Sequence, residues 1–196
     1  MSQAGPRIHP LRNEEFKEEH QNIAVKYLSK ERSEFNIIRT LARVPEALEP
    51  FLTWAGYVLS GTSLPDRERE LITVRVAHLT RSTYELSQHV KMSFDAGLTA
   101  DEFKRIRLGA DAGWSAADAA LIRACDELLA DQVVSDAVWQ SLTDHFILRQ
   151  VMDVVITIGQ YSQLAMILNS FRVEVEPSLR AQVAEFGYDV DHIAEE

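Results

Sequence analysis

Apolar and polar residues follow a helical period along almost the whole chain. Apolar residues recur three or four positions apart, and short interruptions containing Gly, Pro, Ser or Asp separate the runs. No segment shows the strict apolar–polar alternation expected of a half-buried strand. The sequence therefore predicts an all-α fold. The predicted helices lie at residues 14–29, 34–43, 46–60, 65–80, 83–96, 100–109, 116–131, 136–146 and 147–169.

Four of the predicted helices begin with Ser or Thr followed three residues later by an acidic residue, which is the pattern of a capping box. These pairs are Ser63–Asp66, Ser82–Glu85, Thr99–Glu102 and Ser115–Asp118. The second pair matters most, because its acidic residue is also a candidate for chemistry.

The last predicted helix, at 147–169, is apolar on most sides rather than along one stripe. A helix of this kind is usually buried on most of its surface. In a chain of 196 residues a second subunit would help to cover it, so the pattern predicts a homo-oligomer. Polar residues such as Asp153 interrupt the apolar run, and we expect no membrane span.

The excess of acidic over basic residues disfavours nucleic acids and anionic membranes as partners. The chain has 30 Asp and Glu against 20 scattered Lys and Arg, a formal net charge of −10. A nucleic-acid binder needs a basic stripe, and an acidic surface is poorly matched to anionic membranes. The N-terminus lacks the basic start and apolar run of a signal peptide. We therefore expect a cytoplasmic protein that binds neither nucleic acid nor membrane.

The chain has a single cysteine, Cys125. One cysteine cannot form an intramolecular disulfide or a CxxC redox pair. The six histidines show no spacing typical of metal ligands. We expect Cys125 to be a small core residue, and we expect neither a metal nor a cofactor.

The segment 65–97 holds the densest group of residues able to transfer protons. Glu85 and His89 are four positions apart, so they lie on one face of a helix. His89 borders the apolar stripe of that helix, where partial burial tunes its charge state near neutral pH. Glu70, on the preceding helix, reaches the same place if the two helices pack antiparallel. With the phenol of Tyr84, these groups suffice for general acid–base catalysis.

Each of these residues also has a simpler structural interpretation. Glu85 completes a capping box, or forms an ordinary helix pair with His89. Glu70 lies within the alternating charges of residues 67–70, which are typical of a solvated helix face. His89 alone is more often a half-buried histidine than a catalyst, and Tyr84 is more often a packing residue. The pattern alone leaves both interpretations open.

Several motifs resemble those of the carboxymuconolactone decarboxylase family, whose superfamily also contains the alkylhydroperoxidase D-like proteins. The resemblance covers residues 35–172, and it leaves 1–34 as an N-terminal arm and helix and 173–196 as a C-terminal tail. It implies a single-domain all-α helical bundle that assembles as dimers, trimers or hexamers, with a pocket near the subunit interface. The motifs are PDREREL at 65–71, YELSQHV at 84–90, AGLT at 96–99 with Glu102, IIRTLA at 37–42 before Pro45, and IGQY at 158–161 leading to Asn169.

The resemblance also bears on individual residues. In the peroxidase branch of the superfamily, a CxxC pair begins the active helix, a His follows the second Cys by four residues, and a Glu precedes the first by twelve. In this sequence the two Cys positions fall on Ser82 and Glu85, the His on His89 and the Glu on Glu70. Ser lacks the nucleophilicity of a thiolate and cannot form a disulfide. The resemblance therefore favours the decarboxylase branch, which lacks the cysteine pair.

The decarboxylase branch implies cofactor-free removal of CO2 from a small carboxylated lactone or aromatic-degradation intermediate. Such a reaction needs a group that stabilises the dienolate and an acid that protonates carbon. We expect His89 to donate or shuttle the proton, and Glu70 and Glu85 to position and polarise it.

Three further residues are candidates for substrate binding. Tyr84 and Ser82 would contact the substrate, and Arg75 would supply a cation for its carboxylate. Two other functions stay open: an alkylhydroperoxidase-like antioxidant protein without CxxC, and a non-enzymatic helical oligomer that binds a small molecule or a partner.

Overall fold

The computed structural model describes residues 5–193 and residue 195. Over these residues it contains helices and turns and no strand, which confirms the all-α prediction. A 3-10 turn at Arg32–Glu34 precedes the second helix, and a π turn at Tyr57–Gly61 extends the third. The helices are α1 (Glu18–Val25), α2 (Asn36–Leu41), α3 (Pro45–Gly56), α4 (Asp66–Thr80), α5 (Thr83–Asp95), α6 (Ala100–Ile106), α7 (Ala116–Asp131), α8 (Asp136–His145), α9 (Leu148–Phe171) and α10 (Pro177–Glu185).

Helix α4 lies at the centre of the fold. It packs against α5, α7 and α9, and every residue from Arg69 to Ala77 is buried. This helix is also rich in charge, so its buried ions need partners. Arg67, at the edge, pairs with Asp118 at 2.9 Å and with Glu102. Arg69 pairs with Asp66 and Glu70, and Arg75 pairs with Asp126. These pairs allow Glu70 to lie inside the bundle.

The capping boxes form at some predicted helix starts and not at others. The hydroxyls of Thr99 and Ser115 cap α6 and α7 as predicted. Ser63 instead donates its hydroxyl and its backbone N–H to Asp153 of α9, at 2.6 and 2.7 Å. Ser82 precedes α5 but makes no side-chain cap. The structure therefore removes the interpretation of Glu85 as part of a capping box.

Helix α9 packs against α4, α7 and α8. By length and composition it could cross a membrane, but half of its most apolar window is buried inside the protein. This is the pattern of a core helix. Its uncovered side exposes several large apolar residues, including Leu148, Met152 and Met166.

The C-terminal segment is ordered on the body of the protein. Pro177 occupies the first turn of α10, a position that suits proline, and α10 packs against α5. Its apolar residues join the core, among them Leu179 and Val183. Just before it, Glu176 is buried and contacts the start of α2.

Candidate active site

A cavity of about 130 Å³ lies between α2, α3, the π turn, α5 and α9. Its walls are mainly apolar, with a small group of polar side chains from α5 and α9. Those polar residues include Glu85, Gln88 and His89 of α5, which share one helix face because they are three and four positions apart. The complete lining is Leu28, Arg32, Phe35, Ile37, Ile38, Phe51, Leu52, Ala55, Val58, Leu59, Tyr84, Glu85, Gln88, His89, Met92, Gln160, Tyr161, Leu164 and Leu168.

Glu70 and His89 form a direct pair beside this cavity. Helices α4 and α5 fold back on each other through the turn at Arg81 and Ser82, where Arg81 has a left-handed backbone with φ of 53°. Glu70 is fully buried and His89 is 6% exposed. The Nδ1 atom of His89 lies 2.6 Å from Oε2 of Glu70. Glu70 therefore orients the imidazole, as a carboxylate does in catalytic histidine pairs.

The second nitrogen of His89 is left for a ligand. His89 lines the cavity, and its Nε2 makes no hydrogen bond with the residues that the structure describes. The ring of Tyr161 meets the imidazole edge-on, with centroids 5.1 Å apart and planes at 87°. Burial, together with the charge of Glu70, raises the pKa of the Tyr161 phenol, so the phenol stays protonated.

The charge of Glu70 is balanced by a second partner. Nη2 of Arg69 lies 3.4 Å from Oε1 of Glu70, and Nη1 of the same guanidinium bonds to Asp66 at 2.6 Å. Arg69 is itself buried. A buried carboxylate held by an imidazole and a guanidinium is stable in the interior, whereas an unpaired one is costly.

Glu85 has a different environment from Glu70. It is 2% exposed, and neither of its carboxyl oxygens has a hydrogen-bond partner of normal geometry among the described residues. Burial raises its pKa from 4.5 to about 8, and the nearby hydroxyl of Ser82 offsets part of that rise. At neutral pH Glu85 is therefore a neutral carboxylic acid that faces the cavity and can donate a proton.

Of the three predicted substrate-binding residues, only Tyr84 lines the cavity. Tyr84 lines the cavity, but its hydroxyl donates to Glu176 at 2.7 Å and accepts from the backbone N–H of Ile37 at 3.4 Å. Burial raises the Tyr84 pKa, and the charge of Glu176 adds to the rise. Ser82 is fully buried and does not line the cavity.

Arg75 is not brought to the cavity. Its guanidinium donates to Asp126 at 2.7 Å and to the carbonyls of Ile106 and Arg107 at 3.0 and 2.9 Å. Arg75 is five residues after Glu70, and five residues turn a helix through about 500°, so the two side chains leave α4 in different directions. The expected role of Arg75 as the substrate cation is not supported by this position.

Four polar residues of the cavity lining were not among the site residues predicted from the sequence: Arg32, Gln88, Gln160 and Tyr161. Arg32 lines the cavity, and none of the ion pairs between described residues involves its guanidinium. Gln88 lies three positions after Glu85, so the helical period could have identified it. Gln160 and Tyr161 belong to the IGQY motif, although nothing in that motif indicates which side chain faces a cavity.

Cys125 lies outside the cavity. Its thiol is fully buried 3.9 Å from the carbonyl of Ile72, and burial raises its pKa. A buried thiol of raised pKa is a poor nucleophile. Across residues 5–193 and 195, no group of three His, Cys, Asp or Glu side chains is arranged to hold a metal ion.

The sequence matches the model of the carboxymuconolactone decarboxylase family over residues 45–126. This range contains Glu70, Glu85 and His89, and the match confirms the resemblance noted from the motifs. No curated protein matches the sequence significantly.

Several solved structures share the fold. An uncharacterized peroxidase-related protein from Silicibacter sp. TM1040 is 15% identical, with a TM-score of 0.76 over 91% of this chain and 97% of that chain. An alkylhydroperoxidase AhpD core protein from Ralstonia eutropha JMP134, also described as peroxidase-related, is 17% identical, with a TM-score of 0.72 over 90% and 96%. The debrominase Bmp8 is 13% identical, with a TM-score of 0.71 over 95% and 97%. At these identities the likeness establishes the alkylhydroperoxidase D-like fold.

Proposed function

We propose that this chain, whose residues 45–126 match the model of the carboxymuconolactone decarboxylase family, is a cofactor-free decarboxylase. Its substrate would be a small carboxylated lactone or a related intermediate of aromatic degradation. The observation that carries the proposal is Glu85, a buried carboxylic acid with a pKa of about 8 that lines an apolar cavity next to His89.

The reaction needs two steps that this cavity suits. The bond between the ring and the substrate carboxylate breaks, CO2 leaves, and the electron pair moves into the conjugated carbonyl as an enolate. The proton of Glu85 then transfers to the ring carbon, which restores the carbonyl. An apolar cavity favours the first step because the negative charge, localised on the substrate carboxylate, spreads over the conjugated enolate as CO2 leaves.

The Glu70–His89 pair returns Glu85 to its protonated form. Because Glu70 holds Nδ1 of His89 at 2.6 Å, the imidazole presents Nε2 to the cavity and can take a proton from solvent and pass it on. In the hypothesis drawn from the sequence, His89 donated the proton and Glu85 only positioned His89; here Glu85 is the donor. Arg32, rather than Arg75, is the cation available to bind the substrate carboxylate.

A panel of carboxylated unsaturated lactones, followed by CO2 release and by ultraviolet detection of the enol-lactone, tests the proposal. We expect turnover of at least one compound, with kcat falling above pH 8 as Glu85 ionises. The His89→Ala and Glu85→Gln variants should each lose roughly 10²–10⁴ in kcat. His192→Ala, which removes an exposed histidine, is the matched control. Failure to release CO2 from the whole panel, or full activity in His89→Ala, would refute the assignment.

A thiol-peroxidase activity is the alternative suggested by the names of two structural neighbours. It is disfavoured because the chain has one cysteine and Ser82 and Glu85 stand where the peroxidase branch has its pair. Peroxide consumption with dithiothreitol measures it directly. Turnover that disappears in Cys125→Ser would favour this alternative over the decarboxylase.

A further inference from the structure

Two glutamine side chains in the cavity have buried polar atoms without partners. Gln160 is 4% exposed, and both its Nε2 and its Oε1 lack a hydrogen-bond partner among the described residues. The Nε2 of Gln88 also lacks a partner of normal hydrogen-bond geometry among the described residues, although the amide lies near the Tyr84 hydroxyl. Buried amide groups are almost always hydrogen-bonded, so orphaned ones call for an explanation. Since both residues line the same cavity as Glu85, a bound ligand is the natural source of the missing partners.

The size of the cavity limits that ligand. Its volume is about 130 Å³, and an apolar protein cavity of about 150 Å³ is known to hold benzene. One five- or six-membered ring therefore fits. The apolar side chains of the lining, such as Phe35 and Leu164, suit the faces of a planar ring. The polar groups are confined to α5, α9 and Arg32, so they would contact the substituents of the ring.

We propose that Gln160, assisted by Gln88, binds the ring carbonyl of a single-ring conjugated substrate and stabilises the enolate oxygen formed from it. This inference rests on the proposed decarboxylation. When the carboxylate leaves as CO2, the electron pair of the broken bond moves through the ring to the carbonyl oxygen. The Nε2–H groups donate hydrogen bonds to that oxygen, and an amide keeps its protons, so the proton delivered to carbon comes from Glu85.

The chemistry of the side chains explains why the amides bind the enolate oxygen and Glu85 donates the proton. A preorganised neutral donor in a water-poor cavity is worth far more to a developing anion than the same donor in water. Gln160 is preorganised because its amide is buried on α9, the long helix that packs against α4. The substrate class is thus a planar lactone or cyclic ketone with a conjugated carbonyl and one carboxylate, which Arg32 binds.

Binding of two ring probes measures this role without turnover. Tetronate is a five-membered lactone whose enolate is stable in water, and furan-2(5H)-one is its neutral counterpart of similar size. By calorimetry we expect the wild-type protein to bind tetronate more tightly than the furanone. Gln160→Leu, which keeps the volume but removes the amide, should weaken tetronate binding roughly 10–100-fold. It should weaken furanone binding less, because a hydrogen bond to a neutral carbonyl is weaker than one to an enolate oxygen. Gln160→Glu, which lacks the donor and can carry a negative charge, should weaken it at least as much.

Gln163→Leu serves as the matched control, because Gln163 lies on the same helix but is exposed and does not line the cavity. It should bind both probes as the wild type does. Equal binding of tetronate to the wild type and to Gln160→Leu overturns the inference. So does a ligand-bound structure in which fixed waters, rather than the ring oxygen, bond to the two amides.

The same variants separate this inference from the proposed function. Tetronate binding that depends on Gln160, in a protein that releases no CO2 from any lactone acid, overturns the decarboxylase and supports the carbonyl-binding role. CO2 release that Gln160→Leu leaves unchanged overturns the carbonyl-binding role alone. If the protein is a decarboxylase and Gln160 binds the carbonyl, Gln160→Leu should lower kcat roughly 10²–10³-fold, as the loss of one oxyanion-hole donor does in other enzymes.

Discussion

At the scale of single residues, burial of Glu85 links the free energy of unfolding to pH. Its pKa is raised to about 8 in the folded protein against 4.5 as the ordinary value. Between these values the folded protein holds a proton that the unfolded chain releases. Stability contributed by protonated Glu85 is therefore present at low pH and is lost as the pH rises from 4.5 towards 8, by up to about 1.4 kcal/mol per pH unit.

We predict that Glu85→Gln removes this loss, because a neutral amide cannot ionise. Urea unfolding at pH 5, 6, 7 and 8 should show the free energy of unfolding falling more steeply in the wild type than in the variant. Glu185→Gln, at an exposed position of α10, should follow the wild-type curve. Parallel curves for the wild type and Glu85→Gln would mean that Glu85 is already ionised in the folded state.

The sequence predicted part of the site because helical spacing carries that information. Glu85 and His89 share a helix face because they are four positions apart, and a tight helix hairpin brings Glu70 to His89. The environment of each acid was not predictable, since the ion pairs of Glu70 and the isolation of Glu85 depend on the packing of α4 and α5. Arg32 reaches the cavity from a segment distant in sequence, and no local pattern marks that contact.

At the scale of elements, all nine predicted helices occur, with ends that shift by a few residues. The pattern did not predict α10. Its apolar residues Leu179 and Val183 are four positions apart, but they lie among exposed polar residues, which weakens the helical period. Pro177 was the one local signal of a helix start. The contacts that order this helix are tertiary, because it packs on α5 and its neighbour Glu176 bonds to Tyr84.

We predict that Glu176→Ala destabilises the protein and loosens the cavity. The carboxylate accepts hydrogen bonds from the Tyr84 hydroxyl and from the backbone N–H of Asn36, where α2 begins. Removing an acceptor from buried donors costs about 1–3 kcal/mol, measurable by urea unfolding. Tetronate affinity should also fall, because Tyr84 lines the cavity. Glu174→Ala, which removes an exposed carboxylate two residues away, is the control and should keep wild-type stability. Wild-type stability in Glu176→Ala would exclude the coupling between Glu176 and the cavity.

At the scale of the whole molecule, only part of the apolar surface of α9 is buried within one chain. The sequence led us to expect that another subunit covers this helix, and half of its apolar window is buried within one chain. Leu148 and Met152, one helical turn apart, are each more than half exposed. Large apolar side chains grouped on one exposed face are typical of an association surface. We propose that a second copy of this chain covers them.

Electrostatic repulsion between identical, negatively charged chains opposes association through α9. Each copy carries a formal net charge of −10, and salt screens that repulsion while leaving apolar burial effective. We therefore predict that sedimentation velocity detects species larger than the 22.2 kDa chain, with association strengthening from 50 to 500 mM NaCl. Met152→Asp should shift the protein to monomer by placing a charge in the apolar contact. Leu108→Asp, at an exposed apolar position outside α9, should leave association unchanged. A monomer at every salt concentration would show that the exposed face of α9 does not join copies of this chain.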